Sequence, residues 1–219
     1  MASRGWTAPK ARRPPRAPQG AAGIDAGIDA GIDRARRDGY LRAMSTRPIL
    51  IHPDPRLKKV CAPVAAVDER LRSLLDDMLE TMYAAPGVGL AAPQVGVDAR
   101  ALVMDCADKD GPRAPMCLIN PEILWRAEAL NEHEEGCLSI PDIYAPITRP
   151  ASVAVRFTDR EGAVREAAFD GLWATCVQHE IDHLDGKLFI DYLGAAKRML
   201  ITEKMRKLKR ERAKAGTSA

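Results

Sequence analysis

His179, Glu180 and His183 stand together in the run HEIDH, the part of this sequence best equipped for chemistry. Residues four apart on a helix lie one above the other on a single face, so both imidazoles can reach one ion. Glu180 is turned about 100 degrees from His179, close to that ion without having to bind it. A catalytic ion needs a third protein ligand and an open position. No histidine follows His183, and the downstream glutamates, Glu203 and Glu211, lie in a strongly basic tail. Upstream, Cys137 sits in EEGCLSIP with a glycine before it and room around its backbone. A cysteine by itself reads as a buried structural thiol, but beside two paired histidines it becomes the candidate third ligand. Cys137, His179 and His183 are a soft, mostly neutralised donor set suited to Zn2+ or Fe2+. The thiolate leaves such an ion less positive than three imidazoles would, so Glu180 is needed to take the proton of a water.

That chemistry needs a helix under HEIDH and a strand edge under Cys137. Asp170 can cap a helix over 172–185, and Gly186 is placed to stop it. A second amphipathic stretch, 68–84, carries Leu71, Leu74, Leu75, Met78, Leu79 and Met82 at helical spacing. A third helix is expected over 194–212. Runs of β type occupy 101–105, 116–120, 152–159 and 163–169, and PILIHPDPRL from Pro48 is strand-like up to its prolines. GVGLAAPQVG, 87–96, reads as a flexible loop. Strands without regular βαβ alternation predict an α+β fold: mixed or antiparallel sheets packed around a central metal-binding helix, with a C-terminal helix.

The 219 residues suit one domain with appendages, and 46% apolar residues supply a core. No stretch approaches the roughly 18 uninterrupted apolar residues of a membrane-spanning helix. The N terminus carries Arg and Pro where a secretory signal would be apolar, which predicts a cytoplasmic protein. Five cysteines without paired spacing point to reduced thiols.

Charge is segregated along the chain. Residues 1–43 carry nine Lys/Arg against four Asp/Glu, residues 194–219 nine against two, and since the whole is +3 the middle is strongly acidic. An acidic body with basic ends is not a protein wrapped around nucleic acid. The segment 1–43, with its AGID repeat, is expected to be a disordered extension, and Met44 an alternative start. The expected parts are therefore this extension, a catalytic domain at 45–193 and a basic helix and tail at 194–219.

GVGLAAPQVG, EGCLS and QHEIDHLDGKLFIDYL, in that order, resemble the three signature motifs of the peptide deformylase family, over about 48–193. The resemblance implies metal ligands at Cys137, His179 and His183 and a catalytic glutamate at Glu180, as the residues themselves suggested. It further implies oxyanion donors in the Gln94 side chain and the Leu138 backbone amide. It sets Gly87, Val88, Gly89 and Gly136 against the substrate, and Cys176 in the slot for the methionine side chain; core packing accounts equally well for Cys176. The implied substrate is the N-formyl-methionine end of nascent polypeptides, hydrolysed to formate and a free amine. The implied cofactor is one divalent ion, Fe2+, with Zn2+ or Ni2+ in purified samples. A monomer is expected, and the basic C-terminal helix resembles the arm that docks bacterial deformylases on the ribosome. Glu135 and Asp182 are candidates for orienting the ligands, whereas His52 and His133 carry no assigned role. A small peptidase with the same ligands, or an inactive ribosome-bound module, would be the competing identities.

Overall fold

The computed structural model describes residues 45–108 and 111–216. The chain divides into two units, Met1–Leu41 and Arg42–Ala219, and the description concerns the second; the expectations for 1–43 lie outside the described residues.

Helix α1, Glu69–Ala84, starts where the Asp68 carboxylate accepts the Leu71 amide at 2.8 Å. This satisfies one of the donors that a helix start leaves open. Strands β1 (Gly89–Ala91), β2 (Ala101–Met104), β3 (Met116–Arg126), β6 (Ser152–Thr158) and β7 (Val164–Asp170) form one antiparallel sheet in the order β1-β2-β3-β6-β7. Between β3 and β6 in sequence, β4 (Leu130–Cys137) and β5 (Ile140–Pro150) make a separate two-stranded sheet. Helix α2, Gly171–Leu184, holds HEIDH, and α3, Ala195–Gly216, ends the described chain.

The ALVM run of β2 does not alternate because both faces of its sheet are covered. Leu102 and Met104 pack with Ala174, Val177, Ile181 and Leu184 of α2. Ala101 and Val103 pack with Leu71, Leu75, Met78 and Met82 of α1. Burying a side chain of this size contributes about 1.5–3 kcal/mol, so α2 is fixed along its whole apolar face. A third cluster joins Ile201 and Met205 of α3 to Leu57, Ile147, Phe189 and Ile190. The α+β reading, with antiparallel sheets packed on the helix of HEIDH, is the observed architecture.

Three local expectations change. GVGLAAPQVG is not a loose loop: it holds β1 and a turn of 3-10 helix, Ala92–Val95, with Leu90 to Gln94 buried. PILIHPDPRL forms no strand; Leu50 and His52 give their amides to Gln94 and Ser139 carbonyls at 2.7 and 2.9 Å, and Pro55–Lys58 is a 3-10 turn. The β4–β5 hairpin lies where no strand was expected, and β4 is mostly exposed, so it shows no apolar alternation. Asp170 occupies the N-cap position of α2 without a side-chain capping bond.

Gly186 ends α2 at φ +70, and a Cβ there would meet the Lys58 carbonyl oxygen at 2.6 Å. The left-handed backbone alone costs a non-glycine residue about 1–2 kcal/mol. Gly186→Ala is therefore expected to lower the unfolding free energy by at least that amount, read as a shifted urea midpoint with an unchanged slope.

Candidate metal centre

Cys137 ends β4 at the tip of its hairpin, where the register with β5 shifts between Gly136 and Cys137. Such an irregularity re-aims a side chain out of the strand's alternation. The sulfur comes to 3.2 Å from His183 Nε2. His179 and His183 rise from α2 one turn apart, buried, with ring centroids 5.0 Å apart. The ligating atoms of Cys137, His179 and His183 all lie within 4.8 Å of one another. A tetrahedral ion with bonds of about 2.0–2.3 Å holds its donors roughly 3.5 Å apart, so this cluster has the dimensions of a metal site.

The choice of nitrogen is settled by what surrounds the rings. His179 Nδ1 faces Glu135 Oε2 at 2.8 Å, which leaves its Nε2 for an ion. His183 Nδ1 is buried without a hydrogen-bond partner among the described residues, while its Nε2 faces the Cys137 sulfur. Burial alone pushes His179 downward, but its hydrogen bonds with Cys137 and Glu135 carry it well above the ordinary histidine pKa. Burial, and then the charge of His179, hold His183 well below that value, so it stays a neutral donor. An ion among these donors would take the place of the His179 proton, and a sulfur with two imidazole nitrogens is a set that fits a borderline-soft divalent ion.

Glu180 is 4% exposed, and its Oε2 has no hydrogen-bond partner among the described residues. Burial pushes its pKa up to about 7. Its carboxylate reaches the β1 backbone: a Cβ on Gly89 would meet Glu180 Oε1 at 2.5 Å and Cys176 Sγ at 2.7 Å. Only glycine lets the strand come this close. Gln94, 1% exposed, accepts the Ala91 amide at 2.8 Å through Oε1. Its amide nitrogen is thereby turned towards Ser139 Oγ at 3.2 Å and Cys137 Sγ at 3.6 Å. Leu138, next to the sulfur, packs so near Gly87 that a Cβ there would lie 2.8 Å from its Cδ1. Gly136 lies under the Tyr144 ring, 2.6 Å from where its Cβ would stand.

Of the ligand, catalytic, substrate and orienting candidates named from the sequence, all but His183 and Asp182 line one open cleft of about 820 Å³. His183 is 1% exposed beneath it. Val88 contributes an exposed side chain, and its carbonyl accepts from the thiols of Cys176 at 3.5 Å and Cys106 at 3.9 Å. His133, left without a role by the sequence, lines this cleft too. His52 does not; its Nε2 lies 2.9 Å from Thr202 Oγ1 of α3.

Arg149 was not anticipated. It is 5% exposed and bridges two acids, giving Nη2 to Glu135 at 3.0 Å and Nη1 to Asp182 at 2.8 Å. Burial opposes ionisation of Glu135, but hydrogen bonds from His179 and Arg149 bring its pKa below the usual carboxylate value. Tyr192 donates to Asp182 at 2.8 Å, and Phe189 stacks on His179. The sequence held one signal for Arg149: Ala145, Ile147 and Arg149 share the buried face of β5 by alternation. A charge on such a face requires partners.

Comparison with known proteins agrees with this geometry. The family described as polypeptide deformylase matches residues 46–199. A peptide deformylase of Methylocella silvestris is 56% identical over 167 residues, covering 75% of this chain and 85% of that protein. One of Mesorhizobium japonicum is 54% identical over 170 residues, covering 78% and 97%. The crystal structure of the Ehrlichia chaffeensis peptide deformylase in complex with actinonin superposes with a TM-score of 0.74 at 42% identity, covering 76% of this chain and 99% of that one.

Removing Arg149 would leave Glu135 and Asp182 as buried charges without their cation, at a cost of about 3–5 kcal/mol. Arg149→Met is expected to show that loss in urea unfolding. Glu135→Gln, which keeps the shape, is expected to weaken metal binding about 10- to 100-fold, measured by competition with a chromogenic chelator.

Proposed function

The chain belongs to the polypeptide deformylase family, hydrolases that remove the N-formyl group from nascent polypeptides, and on that premise we propose how its residues divide the work. The observation that supports the assignment is a buried carboxylate with an unpartnered oxygen, Glu180, in the same cleft as a Cys/His/His donor cluster. Cys137, His179 and His183 hold one divalent ion. Such an ion polarises a carbonyl and lowers the pKa of water from about 15.7 to about 7. Glu180 takes the proton of the attacking water and returns it to the departing amine nitrogen. The Gln94 side-chain amide and the Leu138 N–H donate to the oxygen of the formyl group as negative charge develops there. One such donor is typically worth a factor of about 10² to 10³ in rate. The backbone of Gly87, Val88, Gly89 and Gly136 borders the peptide, and Cys176 forms part of the wall around the methionine side chain.

The ion in the cell is Fe2+, which oxidises readily, so Zn2+ or Ni2+ can replace it in purified samples. Residues 45–193 act as the catalytic domain, in the cytoplasm and as a monomer. The basic segment 194–219, with helix α3 (Ala195–Gly216) in it, is an arm for ribosomal RNA, whose phosphates favour such a segment and make its binding salt-sensitive. No helix among the described residues is long and apolar enough to cross a membrane.

Three outcomes are expected. Metal analysis after anaerobic purification finds about one equivalent of iron per chain, and formate release from formyl-Met-Ala-Ser tracks that iron; full activity in iron-free protein would overturn the choice of ion. Glu180→Gln abolishes formate release while the metal stays bound. A base works when deprotonated, so kcat/KM falls as pH drops through the Glu180 pKa. A cation nearby favours the carboxylate, which sets the acid limb of the metal-loaded enzyme below the value of about 7 produced by burial.

A further inference from the structure

Helix α3 carries a pattern that the deformylation chemistry leaves unused. Ile201, Met205 and Leu208 recur at steps of four and three residues and pack on the body with Ile140, Ala145 and Ile147. Four residues beyond Leu208 the same stripe reaches Arg212 rather than another apolar residue. There the helix arrives at the substrate cleft, which Arg212 lines together with Thr46, Arg47, Ile49 and Ile143. The last turns of the helix therefore contribute a cation to the cleft that holds Cys137, His179 and Glu180.

The two arginines of this lining differ in availability. Arg47 is held by Asp77 through Nε at 3.0 Å and Nη2 at 2.8 Å. No carboxylate among the described residues pairs with Arg212. The cleft also holds Glu134 and Asp142, so it is not a cationic trough; among the described residues that line it, Arg212 is the guanidinium without a carboxylate partner. At about 820 Å³ it stands near the top of the range of roughly 300–1,000 Å³ for small-molecule pockets. Residues after the first of a bound peptide have room inside it. A guanidinium fork matches a carboxylate in geometry as well as charge.

We propose that Arg212 is a specificity residue of the deformylation reaction, pairing with a side-chain carboxylate that the peptide carries downstream of its formyl-methionine. The proposal rests on the deformylase reading of the site. Because Glu134 and Asp142 offset its charge, the preference is tied to one position of the peptide and does not follow the peptide's total charge. An exposed pair of this kind changes an equilibrium by about 1.5- to 5-fold, and the effect falls on KM, because Arg212 meets a part of the peptide that does not react.

The test uses the full metal-loaded chain and formyl-Met pentapeptides with amidated ends, in which Asp, Asn or Lys is placed in turn at each position after methionine. At one position the Asp peptide is expected to exceed the Lys peptide in kcat/KM by up to about fivefold, through KM. Arg212→Ala brings that ratio close to one, and Arg212→Glu inverts it. Arg210→Ala removes the same charge from the same helix outside the cleft, and leaves the ratio unchanged. A ratio near one at every position, a preference that survives Arg212→Ala, or an equal loss in Arg210→Ala would each overturn the proposal. So would a preference seen only when the peptides carry free C-terminal carboxylates. Absence of formate release from all of the peptides would defeat the deformylase reading itself, a separable result.

Discussion

Three electron-pair donors pressed into one buried place are the constraint around which this protein is built. Cys137 Sγ and His183 Nε2 stand 3.2 Å apart, with the His179 ring beside them. Lone pairs at that spacing repel unless a proton or a metal ion sits between them, so the side chains must be held by groups behind them. Glu135 of β4 orients His179; Arg149 of β5 holds Glu135 and Asp182; Tyr192, beyond α2, holds Asp182 in turn. Two strands, one helix and the segment after it thus share one polar network. Inside a low-dielectric site such a network rigidifies only when every member is satisfied.

Two buried glutamates near the ligands show how position divides labour between identical side chains. Glu135 accepts from His179 and Arg149, and its pKa is brought below the usual value. Glu180, one residue after His179, keeps an oxygen without a partner among the described residues, and burial takes its pKa up to about 7. One carboxylate is fixed in charge and orients a ligand, while the other can exchange a proton near neutrality. The arrangement is a case of environments pushing two like groups apart in pKa. It depends on Gly89, whose missing side chain lets β1 pass against Glu180 and Cys176.

Much of this was legible before any coordinates. HEIDH was readable because helical periodicity is local: two histidines four apart share a face in whatever context the helix sits. Helix α1 was readable for the same reason, with its start displaced by one residue. Cys137 followed from the needs of the ion and the lack of other ligands, and Gln94 and Leu138 followed only from resemblance. The hairpin of β4 and β5 was missed because β4 is mostly exposed, so no apolar alternation marks it. GVGLAAPQVG was misjudged because its glycines suggest freedom, whereas they serve close approach in a buried strand and turn.

By itself the sequence determined which side chains are candidates for the chemistry and which helix carries two of them, since residue type and a repeat of 3.6 are properties of the chain alone. Only the tertiary structure decided that the sulfur at a hairpin tip meets those imidazoles, that Arg149 stands behind them, and that one Glu180 oxygen has no partner among the described residues. It also decided that Arg212, near the end of the described chain, lines the same cleft. Each of these is a contact between segments distant along the chain. Such contacts come from burying the two faces of one sheet and the apolar stripe of α3, and no short window of sequence contains the surfaces that meet.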